Sequence, residues 1–126
     1  MKEFRVYPTL PVTDFDRARA FYKEKLGLTP SGPQADVFEC GGGTAFIISR
    51  MGTRPAGHTQ MSFEVSDVAA VVKQLKAKGV VFEEYDDPTL RTVDSIATRP
   101  DFKAAWFKDS EDNMIGIGQR VGARRG

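Results

Sequence analysis

Few side chains in this 126-residue chain could do covalent or metal chemistry: there is one histidine, His58, and one cysteine, Cys40. Cys40 precedes Gly41, Gly42 and Gly43 at a turn, and the sequence gives it no visible link to a base. A thiol nucleophile needs a base within hydrogen-bond reach, so none is expected here. His58 follows Gly57 and reads as a solvated residue at the start of a strand rather than a general base. "CGGGT" lacks the Gly-Lys-Ser/Thr and the following helix of a phosphate loop. "GIGQRVG" has neither the spacing of a dinucleotide fingerprint nor room for its helix. A dispersed set, Tyr7, Thr9, Ile47, Ser49, Gln60, Ser62 and Met114, lies on the inferred concave face of strand-like segments, with Trp106 as a further member. These are aromatic and apolar groups with a few hydroxyls and one amide. They suit a medium-sized, planar or partly apolar molecule held by stacking and a few hydrogen bonds. Phe38 is a further lining candidate, and Trp106 reads equally well as core. Tyr7 and Glu64 are the weak candidates for acid–base work, because each lies on the same strand face as that set.

Composition narrows the class. Apolar residues make up 40% and charged residues 28% of the chain, with a formal charge of +1. That balance suits one soluble domain and gives no basic footprint for nucleic acid. The basic run, Arg120, Arg124 and Arg125, reads as a solvated tail. One cysteine forms no internal disulfide, which suits a reducing compartment. "MKEFRVYPTLPV" has no apolar core or cleavage site of a signal peptide, and no apolar run approaches the roughly 18 residues of a membrane span. The expectation is a cytoplasmic protein with no membrane or nucleic-acid partner.

The elements that would carry the dispersed set occur twice. In "TLPVTDFDRARAFYKEKLGL" a strand leads into a helix with Phe15, Ala18, Tyr22 and Leu26 on one stripe and Gly27 at its end. "SFEVSDVAAVVKQLKAKGVVF" repeats this with Val68, Val71, Val72, Leu75 and Gly79. Thr13, with Asp16 three residues on, and Ser66 are the expected N-caps. In the first strand Phe4, Val6, Leu10 and Val12 alternate with Arg5, Tyr7, Thr9 and Pro11, and Pro8 and Pro11 point to an edge or interrupted strand. In the second, Gln60, Ser62 and Glu64 alternate with Met61, Phe63 and Val65. Val12 aligns with Val65, an offset of 53 (65 − 12). "DVFECGGGTAFIIS" and "AAWFKDSEDNMIGIG" each read as two strands around a turn, and Phe38 aligns with Phe107 at an offset of 69 (107 − 38). The difference puts 16 (69 − 53) extra residues between Gly79 and Trp106. They carry Tyr85, Asp86, Asp87, Arg91 and Asp94, and residues 85–102 read as either a lid or a solvated loop. The division is module one, about 1–50; linker, 51–57; module two, about 58–120; basic tail, 121–126.

"LPVTDFDRARAFYKEKLGL", "MSFEVSDVAAVVKQLKAKG" and "AAWFKDSEDNMIGIGQ" resemble the vicinal-oxygen-chelate superfamily, which includes glyoxalase I, bleomycin-resistance proteins and extradiol dioxygenases. The last stretch is similar to the frequent pattern Trp-Phe-x-Asp-Pro-(Asp/Glu)-Gly-Asn, with Ser110 and Asp112 standing where Pro and Gly are common. The resemblance covers nearly the whole chain and implies an α+β fold of two βαβββ modules forming a cupped mixed sheet, often in a homodimer. Metal-dependent members bind a divalent ion through His, Glu or Gln on the first and last strands of each module. Those places fall here on Tyr7, Ile47, Gln60 and Gly116, a poor donor set. Fold does not settle chemistry. One reading is a metal-free protein that binds a small aromatic or apolar molecule without changing it. The alternative is a glyoxalase-type lyase, isomerase or dioxygenase, with a divalent metal as its cofactor or with none.

Overall fold

The computed structural model describes residues 1–50, 55 and 57–121. The expected linker residues 51–54 and 56 and tail residues 122–126 lie outside the described residues. The chain divides into two compact units, Met1–Ala56 with Asp109–Asn113, and Gly57–Lys108 with Met114–Gly126.

In the first unit β1 is Thr9–Val12, followed by α1, Phe15–Ala20, which continues into a π-helical turn, Phe21–Lys25. Then come β2, Pro30–Ser31; β3, Val37–Glu39; and β4, Ala45–Arg50. The sheet runs β1-β4-β3-β2, with β1 parallel to β4 and the other pairs antiparallel. β1 is shorter than the alternation from Phe4 predicts. Pro8 has no amide to donate to a ladder, and Phe4 and Val6 are 64% and 85% exposed rather than buried. The edge position of β1 tolerates Pro11. Asp14, not Thr13, caps α1: its Oδ1 accepts from the Arg17 amide at 3.0 Å. Asp16 pairs instead with Arg19 at 2.8 Å. Gly27 ends the helical segment at φ +72°, a left-handed value that suits glycine.

The second unit repeats the plan with β5, Thr59–Glu64; α2, Val68–Ala77; β8, Ala97–Thr98; β9, Phe102–Lys108; and β10, Met114–Arg120. The sheet runs β5-β10-β9-β8, and β5 is parallel to β10. Between α2 and β8 the extra residues form a small hairpin, β6, Asp86–Asp87, with β7, Leu90–Arg91. Asp67, not Ser66, caps α2 by accepting from the Ala70 amide at 3.1 Å. Thus Asp14 and Asp67, one repeat apart, do the same work.

Each unit has its own core, and Phe38, Phe46 and Ile48 of the first align with Phe107, Ile115 and Ile117 of the second. Leu10, Ala18, Tyr22, Phe38, Phe46 and Ile48 are buried in the first unit; Val68, Val72, Phe82, Phe107, Ile115 and Ile117 are buried in the second. Phe38 is a correction to its reading as a lining residue. Its ring packs 5.4 Å from Tyr22 and 5.2 Å from Phe46, on the helix side of the sheet. Among the described residues no helix is long and apolar enough to cross a membrane.

Candidate functional site

In the second sheet, register decides which side chains share the face turned away from the core. Met114 stands opposite Lys108, Gly116 opposite Trp106, and Gly118 opposite Ala104. On the other flank Gly116 faces Ser62 and Gly118 faces Glu64. Cross-strand partners project to the same side of a sheet. Trp106, Ser62, Glu64 and Met114 therefore stand around two glycines. A Cβ on Gly116 would lie 2.6 Å from Ser62 Oγ, so no side chain fits there without a shift, whereas one on Gly118 would meet nothing within 4 Å. Ser62 thus covers Gly116, which is buried, and the bare backbone of β10 is at Gly118, diagonal to the half-buried indole. Tyr85, from the extra segment, packs edge-on to that indole at 5.7 Å and 83°.

The register slips by one residue between Met114 and Ile115, which pair with Thr59 and Met61. Gln60 is the additional residue of this bulge. Strict alternation places Thr59 on the opposite face from Ser62, but both approach Gly116, Thr59 Cγ2 at 3.4 Å from the built Cβ. The Gln60 Oε1 is buried and has no hydrogen-bond partner among the described residues. Glu64 is 75% exposed in its side chain and pairs at 3.3 Å with the exposed Arg120. That is a solvated ion pair, worth little to stability.

In the first unit Thr9 pairs with Ile47 and Pro11 with Ser49, on the face opposite Leu10 and Ile48. Tyr7 precedes the strand, and its ring lies 5.0 Å beneath the Arg5 guanidinium. The side chains at the family's metal positions are thus a phenol carrying a cation, an aliphatic chain, an amide and, at Gly116, nothing. Among the described residues no three His, Cys, Asp or Glu side chains gather where they could hold a metal ion. His58 is exposed, with Nδ1 2.9 Å from its neighbour's carbonyl, Thr59 O. These donors do not fit the divalent ion of metal-dependent relatives. Cys40 stands at the glycine turn with Sγ 3.8 Å from Phe38 O, and burial pushes its thiol pKa up. That is the opposite of an activated nucleophile.

The densest polar cluster was not expected as a functional element. It lies in "DSEDN", the turn Asp109–Asn113 joining β9 to β10. Asp109 Oδ2 accepts from the Tyr22 hydroxyl at 2.5 Å and from Asn113 Nδ2 at 2.9 Å, and its Oδ1 accepts from the Glu111 and Asn113 amides at 2.8 Å each. Asn113 Nδ2 also reaches Pro11 O at 2.9 Å. Glu111 Oε1 accepts from the Thr13 and Asp14 amides at 2.9 and 3.0 Å, while Oε2 accepts from Arg17 Nε at 2.7 Å. Burial raises the Tyr22 pKa well above that of a free phenol, and the Asp109 charge adds to the shift. Burial also opposes the Glu111 charge, but Arg17, the Thr13 and Asp14 amides and Ser110 overcome it and lower its pKa to about 2.

The turn explains its own pattern. The residues that agree with the family pattern, Asp109, Glu111 and Asn113, are buried; those that depart, Ser110 and Asp112, are half-buried and exposed. Asp112 has φ +67°, where glycine is unstrained and aspartate is tolerated. Asp112→Val should therefore destabilise the protein by about 1–2 kcal/mol, whereas Asp112→Gly should lie within about 1 kcal/mol of the parent. Urea unfolding of the two variants checks this pair.

A family model for the Glyoxalase/Bleomycin resistance protein/Dioxygenase superfamily matches residues 6–117. Among solved structures, UcmS2 superposes with a TM-score of 0.70 at 19% identity, over 94% of this chain and 98% of that one. TnmS3, an antibiotic binding protein from Streptomyces sp. CB03234, gives 0.65 at 22%, over 94% and 98%. A glyoxalase/bleomycin resistance protein/dioxygenase from Alicyclobacillus acidocaldarius gives 0.70 at 14%, over 97% and 95%. No curated protein matches the sequence.

Proposed function

The chain belongs to the glyoxalase/bleomycin resistance protein/dioxygenase superfamily, and we propose that within it this protein is a metal-free binder of a small, partly aromatic molecule. The observation that carries this is the bare backbone of β10 at Gly118, diagonal to Trp106, with open space above it. A flat ligand would lie on the bare backbone with one edge against the indole, a geometry that aromatic contacts favour. Ser62 would supply a hydroxyl and Met114 a polarisable apolar contact, while Gln60, whose Oε1 is buried, stays a candidate from the sequence reading. Tyr7, Thr9, Ile47 and Ser49 belong to the other unit, and they enter as candidate contacts only through the family resemblance. An antibiotic binding protein among the structural neighbours supports this class of ligand. The family resemblance further favours a homodimer as the working form.

Trp106 is the only tryptophan, so its fluorescence reads this face directly. Titration with a panel of planar aromatic antibiotics should give saturable quenching for at least one compound, recovered unchanged by mass spectrometry. Trp106→Ala should weaken that compound's binding, read by calorimetry, by tenfold or more, the scale of an aromatic anchor at the centre of a site. Turnover of the compound, or about one tightly held nickel, zinc, manganese or ferrous ion per chain after dialysis, would replace binding with glyoxalase-type catalysis.

A further inference from the structure

The extra segment of the second unit builds a cleft that the bare backbone of β10 does not use. It has a volume of about 680 Å³ and lies between the start of α2 and the stretch from Arg91 to Thr98, with Lys103 of β9 contributing to its lining. Lys103 alternates with Ala104 and lies on the same side of β9 as the buried Ala105 and Phe107, so this cleft is on the helix side of the sheet, opposite Trp106.

The cleft holds two cations, Arg91 and Lys103, and two carboxylates, Asp67 and Asp94. One of each is already engaged. Arg91 Nε is 3.0 Å from Asp86 Oδ1, and Asp67 Oδ1 is held by the Ala70 amide at 3.1 Å. Among the described residues the Lys103 and Asp94 side chains have no hydrogen-bond or ion-pair partner, and they make no ion pair with each other. Val93, 72% exposed, and Ile96 supply an apolar wall beside them. Asp94 is held in place by its loop. Val93 and Ile96 exchange backbone hydrogen bonds at 2.9 and 3.1 Å around Asp94 and Ser95, both at positive φ. Glu84 anchors the turn by accepting from Ser95 Oγ at 2.6 Å and from Ser95 N at 3.1 Å.

We propose that this cleft is a second binding site, for a zwitterion of the free amino acid or dipeptide class with an apolar side chain. Lys103 takes the ligand's carboxylate, Asp94 takes its ammonium group, and Val93 and Ile96 take the side chain. A cleft of this volume lies within the usual range for small-molecule sites.

Saturation-transfer NMR and calorimetry of the full chain with an equimolar panel of apolar amino acids and dipeptides, their N-acetyl derivatives and their methyl esters would test it. The zwitterions should bind saturably, and both derivatives should bind about tenfold or more weaker, the scale of one charge-assisted hydrogen bond. Lys103→Met and Asp94→Asn should each cause a similar loss for the zwitterion, while Trp106→Ala leaves it unchanged. Circular dichroism would verify that both variants are folded, and Lys103→Arg should restore binding. Equal binding of the N-acetyl derivative would make this an anion site and overturn the proposal. So would the absence of saturable binding, or binding that both variants retain. Loss of binding in Trp106→Ala would assign the ligand to the other face. Failure of the aromatic ligand screen bears on that other face only.

Discussion

Asp109→Ala should lower the unfolding free energy by about 2–4 kcal/mol, among the largest losses available to one substitution in this chain. Asp109 is 5% exposed and accepts from the Tyr22 hydroxyl, the Asn113 amide side chain and two backbone amides. Alanine would leave the Tyr22 hydroxyl and the Glu111 and Asn113 backbone amides without this acceptor, and Asn113 Nδ2 with Pro11 O alone. Each orphaned donor costs about 1–3 kcal/mol, partly offset because the carboxylate's own desolvation cost is also removed. Asp109→Asn is the useful companion. It keeps one carbonyl acceptor but offers an NH2 group to a neighbour that also donates, so it should cost less than alanine but more than Tyr22→Phe, about 1 kcal/mol. Urea unfolding at pH 7 would order the three. The effect should also reach the candidate site. Asp109 and Asn113 are joined to Lys108 and Met114, the last pair of the β9–β10 ladder, and the next open-face pair is Trp106 with Gly116. Loss of the turn should loosen that register, and the Trp106 emission of folded Asp109→Ala should shift to the red. A cost below 1 kcal/mol with unchanged emission would mean that strand pairing alone holds this face in place.

The repeat was legible because burial has a period. Leu10, Phe38 and Ile48 recur as Phe63, Phe107 and Ile117 at constant offsets, and all but Phe63 are fully buried. The same alternation put Ser62 with Gln60 and Glu64 on one strand face, whereas Trp106 read equally well as core, and only the β9–β10 register places it opposite Gly116. Alternation failed where the backbone departs from it. Phe4 and Val6 continue the apolar pattern, but Pro8 ends the ladder behind them. Thr59 keeps company with Ser62 only because a bulge absorbs Gln60. The helix caps were read one residue early. Thr13 is an adequate cap by type, but its amide and hydroxyl are taken by Glu111 at 2.9 and 3.0 Å, from 98 positions along the chain. No local pattern reports such a partner. The cleft beside α2 was illegible for a similar reason. Asp67, Asp94 and Lys103 come from three elements, and nothing in their spacing brings them together.

Glu111 carries the prediction with the sharpest sign. Its side chain is 1% exposed and its pKa in the folded protein is about 2, against about 4.5 for a free glutamate. A pKa depressed on folding means that the unfolded chain binds the proton more readily. Stability from this group is therefore fully present above about pH 4.5 and is lost as pH falls toward 2. The shift corresponds to about 3 kcal/mol at pH 7, of which about 2 should be gone by pH 3. Glu111→Gln does not titrate and is the reference that removes every other acid-sensitive group from the comparison. At pH 7 the parent should exceed Glu111→Gln by about 2–3 kcal/mol; by pH 3 the gap should narrow by about 2. Guanidinium chloride is unsuitable because its ions screen the Arg17 pair, so urea unfolding at low salt is the measurement. A gap that stays constant from pH 7 to pH 3 would mean that Glu111 serves through hydrogen bonds available equally to an amide. A gap that closes in that window identifies the carboxylate charge, poised over the Thr13 and Asp14 amides at the start of α1 and against Arg17, as what fixes the turn to the first unit's helix.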